Sequence, residues 1–381
     1  MNEPSRPRRI ILASTSAGAG HNQAALAILA GLKAARPDLE AEFVDVLKFT
    51  GRLFRRTYVG PYELGVTKLP RIYGWAYNLL DKPHTPRRTA SERMRLGREW
   101  LSLWRCRRWL LDQRPALVLA THYLVAPMIG RMLARGVEGL RLMVVVTDNE
   151  AHRFWYAENV ERYFIPNDDC RGTLAAWGIP DERMTVAGIP VHPKWTAPLD
   201  RQKIYRDWGL PADRPVVILS GGTYFVVGPI EQIARGILDS SDACVVVLAG
   251  NNKGLLAALA KLPQAGTRLL PVPFTDKVHE LAEVSSIMVT KPGGLMTSEC
   301  MAKGVAMVLT EPVPGQEAAN ARLLVREGAA VVASTTDQII AQVARLLNAP
   351  AELAALRANA RRLHQPATET IVREILKSIY D

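Results

Sequence analysis

A histidine placed directly after a Gly-Ala-Gly segment is the first feature of this 381-residue chain that suggests chemistry. Gly18 and Gly20 precede His21 in the segment "ASTSAGAGHNQAALAILAGL", which follows a short apolar run and continues as a helix-like stretch. Glycines let the backbone approach a ligand closely, and the N-terminus of a helix favours a negative charge. A neutral imidazole, with an ordinary pKa of about 6.5, accepts a proton at physiological pH. We therefore expect His21 to be a general base, with Gly18 and Gly20 beside its substrate.

Three more polar residues follow apolar runs in the same half of the chain. His122 comes after "LVLAT", whereas Asp148 and His152 follow "LMVVVT". Open α/β sheets bind ligands at the carboxyl ends of their strands, so we expect His122 and His152 to contact an acceptor substrate. Asp148 is the alternative base, and a carboxylate there can instead orient a histidine. The sequence leaves both roles of Asp148 open.

The second half of the chain carries glycines suited to phosphate. Gly293 and Gly294 end an apolar run and open a helix-like stretch in "TKPGGLMTSE". Their amides and the helix dipole can hold a diphosphate. Gly221 and Gly222, in "SGGTYFVVG", form a second loop of this kind. We expect both loops to face a phosphorylated ligand.

The hydrophobic pattern predicts two α/β domains, as the chain length also suggests. Short apolar runs alternate with amphipathic stretches, and the pattern restarts after residues 190–202. Such alternation is typical of doubly wound parallel sheets. We expect an N-terminal domain over residues 1–195 that binds the acceptor and a membrane. A nucleotide-binding domain over 196–365 and a C-terminal helix over 366–381 should follow.

Most of the net charge of +11 lies in one segment. Residues 52–114 contain 15 Lys or Arg against 5 Asp or Glu, with Trp75, Trp100, Trp104 and Trp109 among them. Basic and aromatic residues together suit anionic lipid headgroups, and they also suit nucleic acid. Because no nucleic-acid-binding motif is recognisable, we expect an anionic membrane surface as the partner and no nucleic acid.

Several classes of protein are not indicated by the sequence. No apolar run approaches the roughly 18 residues that cross a bilayer, and the N-terminal residues do not resemble a signal peptide, so we expect peripheral attachment at the cytoplasmic face of the membrane. The four cysteines are far apart, which predicts neither a disulfide framework nor a zinc cluster. Because no DxD, HxH or HExxH motif occurs, we expect no metal and no other cofactor.

A dinucleotide-dependent oxidoreductase is an alternative of another class. The dinucleotide fingerprint GxGxxG would need a third glycine where Gln23 stands. Asp45, at the end of the second apolar run, resembles the ribose-binding acid of such enzymes. This alternative therefore stays open beside a transferase that uses two substrates.

Six segments in order carry a resemblance to a known family: "SAGAGHNQAALAI", "YGWAYNLLDKP", "VVTDNEAHRFWY", "GIPVHPKW", "TKPGGLMTSECMAKG" and "PVPGQEAANARLL". Over roughly residues 10–345 the chain resembles the monogalactosyldiacylglycerol synthases and processive diacylglycerol glucosyltransferases, which are related to the muramyl-lipid N-acetylglucosaminyltransferase. The resemblance implies the GT-B fold, with two Rossmann-like doubly wound domains facing across a cleft. It also implies inverting transfer of glucose or galactose from a UDP-sugar to a lipid hydroxyl, diacylglycerol first of all. A UDP-N-acetylglucosamine-dependent transferase acting on a polyprenyl or other lipid carrier is a close alternative.

The resemblance also assigns the donor site to the C-terminal domain. It places Glu299 on the ribose hydroxyls and Phe274 beside uracil, although a core role for Phe274 is equally compatible with the sequence. Gln316 and Glu317 would contact the donor sugar. The remaining donor-binding residues that we expect are Gly221, Gly222, Gly293, Gly294 and Leu295.

Overall fold

The chain divides into two compact units in a computed structural model. The structure describes residues 9–16, 19–58, 60, 89–221, 229–312 and 315–380, so Gly18, Gly222 and Trp75 lie outside the described residues. Unit 1 comprises Met1–Pro193, Pro314–Gln316 and Gln365–Asp381, and unit 2 comprises Lys194–Val313 and Glu317–His364.

Unit 1 is built on a six-stranded parallel sheet with the strand order β2-β1-β3-β4-β5-β6. Its central strands are short runs of buried aliphatic residues, as expected for a parallel sheet covered on both faces. The strands are β1 (Ile10–Ser14), β2 (Ala41–Asp45), β3 (Leu117–Ala120), β4 (Arg141–Val145), β5 (Arg162–Ile165) and β6 (Met184–Val186). The helices are α1 (Ala19–Ala35), α2 (Ala90–Ser102), α3 (Trp104–Gln113), α4 (Val125–Leu133) and α5 (Asp168–Ala176).

Unit 2 contains a second six-stranded parallel sheet, with the order β12-β11-β10-β7-β8-β9. This is the strand order of dinucleotide-binding folds. The strands are β7 (Val216–Ser220), β8 (Cys244–Gly250), β9 (Leu269–Pro273), β10 (Ile287–Thr290), β11 (Ala306–Leu309) and β12 (Ala330–Val332). The helices are α6 (Arg201–Trp208), α7 (Ile230–Ser240), α8 (Lys253–Leu259), α9 (Val278–Val284), α10 (Gly294–Lys303), α11 (Gln316–Arg326), α12 (Thr336–Leu347) and α13 (Pro350–Leu363).

Each sheet has one point at which successive connections turn to opposite sides. In unit 1 this point lies between β1 and β3, and in unit 2 it lies between β7 and β10. The loops that leave adjacent strands there diverge and open a crevice at the carboxyl ends of the strands. The chain therefore offers one ligand-binding edge in each unit.

The last helix, α14 (Ala367–Tyr380), belongs to the core of unit 1 and does not stand alone. Ile371, Ile375 and Ile379 are at most 1% exposed and pack in one cluster with residues of α1 and the sheet. Helix α1 can approach closely because Gly31 has no side chain, since a Cβ there would lie 2.8 Å from Thr368 Cγ2. The sequence does not reveal this docking.

The described helices were also compared with the thickness of a bilayer. No single described helix has both the length and the apolar composition to cross it. Thr336–Leu347 and Pro350–Tyr380 reach that length and composition only together, with a bend of 100° between them.

Candidate functional site

His21 lies in the first turn of α1, at the carboxyl edge of the unit 1 sheet. Its Nδ1 is 2.6 Å from the Thr147 hydroxyl, and its carbonyl oxygen accepts a hydrogen bond from the Thr121 hydroxyl at 3.0 Å. Thr121 follows β3 and Thr147 follows β4, so one of these loops holds the backbone of His21 and the other contacts its imidazole. Burial lowers the pKa of His21, although the charge of Asp148 and the hydrogen bond at Thr121 oppose it. His21 is therefore a neutral base held in a defined orientation.

His122 lies against His21 at the point where the connections diverge. Its ring is fully buried, and the two ring centroids are 4.7 Å apart with an interplanar angle of 80°. Because Nδ1 accepts a hydrogen bond from the Leu124 amide at 3.0 Å, the proton of the neutral ring is assigned to Nε2. That buried Nε2 has no hydrogen-bond partner among the described residues. Burial, followed by the neighbouring His21, lowers the pKa of His122 well below its ordinary value, so the ring presents a neutral N–H donor.

Asp148 is 7% exposed and is held by two side chains. Its Oδ2 accepts hydrogen bonds from Trp155 Nε1 at 2.9 Å and from Gln316 Nε2 at 2.8 Å, and Gln316 groups with unit 1. Burial raises the pKa of Asp148, whereas the charge of His21 and these hydrogen bonds oppose the rise. The carboxyl group is thus fixed close enough to His21 to affect its protonation.

His152 has a structural role in the loop after β4. Its Nδ1 accepts a hydrogen bond from the Phe154 amide at 3.2 Å and caps the 3-10 turn Arg153–Trp155. The side chain is 2% exposed. Contact between His152 and an acceptor stays a prediction, as does contact with Gly20, which lies partly buried in α1.

Four residues of this edge were missed by the sequence reasoning. They are Thr121, Thr147, Tyr123 and Trp155. Tyr123 lies 4.1 Å from the His122 ring centroid, and Trp155 lies 6.1 Å from that of His21. Three of them are immediate neighbours of His122 or Asp148 in the chain, so the rule that ligands gather at strand ends could have found them.

Asp45 supplied the acid of the oxidoreductase alternative. In the structure it accepts backbone hydrogen bonds from Ser16 at 3.2 Å and from Leu47 at 3.0 Å. It caps the 3-10 turn that follows β2. These contacts account for an aspartate at the end of β2 without a nucleotide.

The glycines of unit 2 lie at its own ligand-binding edge. Ser220 and Thr290, the last residues of β7 and β10, are paired, so buried Gly221 and the segment before α10 leave neighbouring strands. Gly293 caps α10, and among the described residues a Cβ there would meet only the Lys291 Cε, 3.9 Å away. Asn320 holds the segment by donating to the Pro292 carbonyl at 2.8 Å. An open helix N-terminus of this kind suits a diphosphate.

Glu299 lies partly buried on α10, one turn beyond Gly294 and Leu295. Burial raises the pKa of Glu299 to about 8, although the charge of Lys194 and a hydrogen bond from Trp195 oppose the rise. Trp195 is 3% exposed. The carboxyl group therefore gains or loses its proton near physiological pH.

Gln316 and Glu317 make different contacts although both begin α11. Gln316 donates to Asp148, as described above, whereas the Glu317 Oε1 is 2.5 Å from the Lys291 Nζ. Sequence reasoning also missed Lys291, a cation two residues before Gly293.

Phe274 follows β9 and is 75% exposed, which rules out the core alternative for this side chain. Its contact with uracil stays a prediction.

The comparison with known families shows what the chain is similar to. Residues 21–191 match the family model described as monogalactosyldiacylglycerol (MGDG) synthase. Over these residues the chain is similar to the MGDG synthase family. The matched range includes both candidate bases, His21 and Asp148, and the acceptor candidates His122 and His152, whereas Gly18 and Gly20 lie just before it. The resemblance inferred from the sequence motifs is confirmed.

Three curated relatives of the chain share one name. The processive diacylglycerol beta-glucosyltransferase of Bacillus pumilus is 32% identical over 61% of this chain and 61% of its own length. Its namesake in Bacillus subtilis is 28% identical over 70% of each chain. A third, in Bacillus cereus, is 28% identical over 81% of this chain and 77% of its own length. The chain thus spans less than two thirds of the Bacillus pumilus relative.

Solved structures with the same fold confirm the predicted fold class. The MurG of Acinetobacter baumannii has a TM-score of 0.58 at 18% identity, over 97% of this chain and 100% of its own. The UDP-GlcNAc 2-epimerase of Neisseria meningitidis, bound to UDP-GlcNAc, has a TM-score of 0.60 at 15% identity over the same shares. The chain therefore has the GT-B fold, with two Rossmann-like units.

Proposed function

We propose that the chain is an inverting glycosyltransferase that moves glucose or galactose from a UDP-sugar to the hydroxyl of diacylglycerol at a membrane surface. The observation that carries the proposal is the pair of neutral histidines, His21 and His122, at the carboxyl edge of the unit 1 sheet. Similarity to the MGDG synthase family and the activity named for the relatives support the choice of substrates.

In this proposal unit 1 deprotonates the acceptor. His21 takes the proton of the lipid hydroxyl while the oxygen forms a bond to the anomeric carbon, and the bond from that carbon to UDP breaks with its electron pair leaving on UDP. The His122 Nε2–H donates a hydrogen bond to the acceptor oxygen, which orients it. We assign Asp148 to the stabilisation of the His21 imidazolium, because its Oδ2 already accepts two hydrogen bonds.

Unit 2 binds the UDP-sugar in this proposal. The amides at Gly221, Gly293 and Gly294 hold the diphosphate, beside Leu295, and Lys291 neutralises charge on the leaving group. Glu299 accepts hydrogen bonds from the ribose hydroxyls, and Phe274 stacks on uracil. Gln316 and Glu317 contact the donor sugar once it displaces their present partners, Asp148 and Lys291.

Attachment to anionic lipid is proposed for the exposed side of α2 and α3. The apolar side chains Met94, Leu101 and Trp104 are 50–77% exposed there. Basic residues alternate with them, and Arg98, Arg105 and Arg108 are all exposed. We call these six residues the α2–α3 surface. Apolar side chains that insert between headgroups and arginines that attract phosphates are what peripheral attachment requires, and we place it at the cytoplasmic face.

A panel of substrates tests the proposal. The purified chain is incubated with UDP-glucose, UDP-galactose or UDP-N-acetylglucosamine, together with vesicles that contain diacylglycerol or a polyprenyl phosphate, and the lipids are analysed by mass spectrometry. A hexosyl-diacylglycerol is the expected product. Transfer of N-acetylglucosamine to the polyprenyl lipid alone would overturn the proposal in favour of the carrier-lipid alternative.

A further inference from the structure

The side of α2 opposite the exposed α2–α3 surface is charged, although it faces the protein. Glu92, Arg95 and Glu99 recur at helical spacing on it, and the Glu99 side chain is only 5% exposed. Arg95 pairs with Glu99 at 2.8 Å. A charged inner side is unusual for a helix that covers a sheet, since apolar residues would pack there at lower cost. The charges must therefore have partners, and two of them lie in the loop after β4.

Glu92 pairs with Arg153, which is 1% exposed. The Arg153 Nε lies 3.0 Å from the Glu92 Oε1, and the guanidinium lies 4.2 Å from the centroid of the Tyr156 ring. The same glutamate accepts a hydrogen bond from the Thr89 amide at 2.8 Å, which completes the capping box of α2. One carboxylate thus fixes both the start of α2 and the position of Arg153. A movement of the first turn of α2 would take this carboxylate away from a buried cation, which is costly, so the positions of the two segments are coupled.

Arg95 holds the next residue of the same 3-10 turn. Its guanidinium lies 4.6 Å from the centroid of the Phe154 ring. Glu92 and Arg95 are three positions apart and lie on one side of α2, so adjacent residues of the turn are held from one helix. The turn Arg153–Trp155 therefore has its place set by α2 as well as by its own cap at His152.

The third residue of the turn, Trp155, lies beside the two residues that we propose for proton transfer. Trp155 is fully buried and donates its indole hydrogen bond to Asp148 at 2.9 Å. Its ring lies 6.1 Å from the His21 ring. Glu92 contacts Arg153, Trp155 donates to Asp148, and the backbone of the turn Arg153–Trp155 joins the two contacts. The turn thus connects α2 with the carboxylate whose charge opposes the lowering of the His21 pKa by burial.

We propose that Glu92, Arg95 and Arg153 are positioning residues of the transfer reaction, and that they make the geometry of Asp148 and Trp155 depend on how α2 lies on lipid. The inference rests on the proposed function, because it needs both a lipid surface and a transfer step. The two opposite sides of α2 have different contacts. Met94 and Leu101 are exposed on one side, where lipid would bind, while Glu92 and Arg95 on the other side contact the turn Arg153–Trp155.

The test compares Glu92→Gln with Glu138→Gln. Glutamine keeps the acceptor for the Thr89 amide in a capping box but removes the charge that Arg153 needs. Glu138 is exposed in unit 1 and is a matched control. Turnover of a water-soluble short-chain diacylglycerol is measured with and without anionic vesicles that contain no diacylglycerol. We expect the vesicles to raise the kcat of the parent chain and of Glu138→Gln.

For Glu92→Gln we expect a kcat about 10- to 100-fold lower, without stimulation by vesicles, because small displacements of catalytic groups cost this much. Its KM for the UDP-sugar and its flotation with vesicles should equal those of the parent. Equal turnover and equal stimulation in Glu92→Gln and Glu138→Gln would overturn the inference. If Glu92→Gln does not fold, Arg153→Lys takes its place, because it keeps the charge and loses the planar fork.

Hydrogen exchange gives a readout that does not depend on catalysis. Addition of the vesicles should slow exchange of the backbone amides of residues 148–156 in the parent and leave them unchanged in Glu92→Gln. Unchanged exchange in the parent would overturn the inference even if sugar transfer occurs. Conversely, a parent that shows the protection and transfers no sugar to any acceptor would contradict the proposed function and leave the coupling standing.

Discussion

Burial, more than any charged partner, sets the protonation of the two histidines at the unit 1 edge. The pKa of each is lowered, and the Asp148 charge only partly offsets the effect for His21. An imidazole that is neutral before the reaction can accept a proton at once, and a nearby carboxylate stabilises the cation that forms. The surroundings of His21 thus favour both the starting state and the product of proton transfer.

Replacement of His21 by alanine should separate proton transfer from donor binding. We expect kcat to fall about 100- to 10,000-fold, the usual contribution of a positioned base, while calorimetry shows unchanged UDP affinity. Gln23→Ala, an exposed substitution on the same helix, is the control. If turnover stays near that of the parent while acceptor KM rises, His21 is a binding residue and Asp148 is the base.

The pH profile follows from the same shift. Because the folded pKa of His21 is lowered, kcat/KM for the lipid acceptor at saturating UDP-sugar should rise with pH through a limb centred below about pH 6.5 and be level toward pH 7.5. The unfolded chain binds protons below about pH 6.5 that buried His21 and His122 do not bind, so the unfolding free energy should fall as pH decreases through this range. A limb of the rate profile centred above pH 7 would contradict the assignment.

Glu299 should make UDP binding depend on pH on the alkaline side of pH 7. With a pKa of about 8 the free carboxyl group is mostly protonated at pH 7, whereas the ribose hydroxyls are best bound by a carboxylate. Affinity should therefore rise with pH, by at most about tenfold per pH unit, and level off above pH 8. Calorimetry in two buffers of different ionisation enthalpy should detect the released proton.

Two variants check the role of Glu299. Glu299→Gln should abolish the pH dependence, and Glu299→Ala should lose about 1.5 to 3 kcal/mol of UDP affinity, since a charge-assisted hydrogen bond disappears. Identical affinity of the parent and Glu299→Ala, with the variant folded by circular dichroism, would remove Glu299 from the donor site.

At the scale of elements, our proposals give two tasks to α2 and α3. Their outer side carries the α2–α3 surface, and the inner side of α2 carries the charges that hold the loop after β4. Reversal of Arg105 and Arg108 to glutamate should weaken flotation with anionic vesicles by at least about 30-fold at low salt, because each arginine near the surface contributes about 1 kcal/mol. Raising the salt should diminish the difference.

The same change of charge on unit 2 is the control for that experiment. Lys253 and Lys261 are exposed, and their joint reversal to glutamate changes the net charge by the same amount. We expect it to leave flotation with anionic vesicles nearly unchanged. Equal losses in the two double variants would show that attachment responds to net charge alone, and equal recovery of the parent on neutral and anionic vesicles would contradict the electrostatic part.

Much of this organisation could be predicted from the pattern of apolar residues. Runs such as "RRIILAS" and "LRLMVVVTD" predict buried parallel strands, and the rule for strand ends then brings His21, His122 and Asp148 to one edge. The ion pair of Glu92 with Arg153 could not be predicted, since 61 residues separate the two and nothing in either segment specifies the partner. Tertiary packing decides such pairs.

At the scale of the whole molecule, the two interpretations of the fold differ in the ligand that should stabilise it. A ligand that binds only the folded state stabilises it by about 2.7 kcal/mol when its concentration is 100 times its Kd. We expect UDP to raise the melting temperature by several degrees, and NAD to leave it unchanged. A shift with NAD and none with UDP would favour the oxidoreductase alternative.

The sequence predicts the C-terminal helix α14 but does not predict which unit it packs on. The apolar stripe of α14 shows that the helix covers something, but an amphipathic pattern carries no information on which sheet it covers. Only the packing of Ile371 and Ile375 with residues of α1 assigns it to unit 1. The predicted C-terminal helix is therefore present, and its place in the core comes from the structure alone.

The C-terminal helix α14 packs on unit 1 although unit 2 lies between them in the sequence, and this order has a consequence for biosynthesis. Every residue of unit 2 leaves the ribosome before α14 does. The face of α1 that contains Ile28 and Leu32 therefore lacks the contacts with α14 for about 10 s at usual rates of translation. The nascent first half thus exposes an apolar strip at the time when aggregation competes with folding. Chaperones that bind such strips would act on the emerging polypeptide during this interval, and the part of the protein made first is the part completed last.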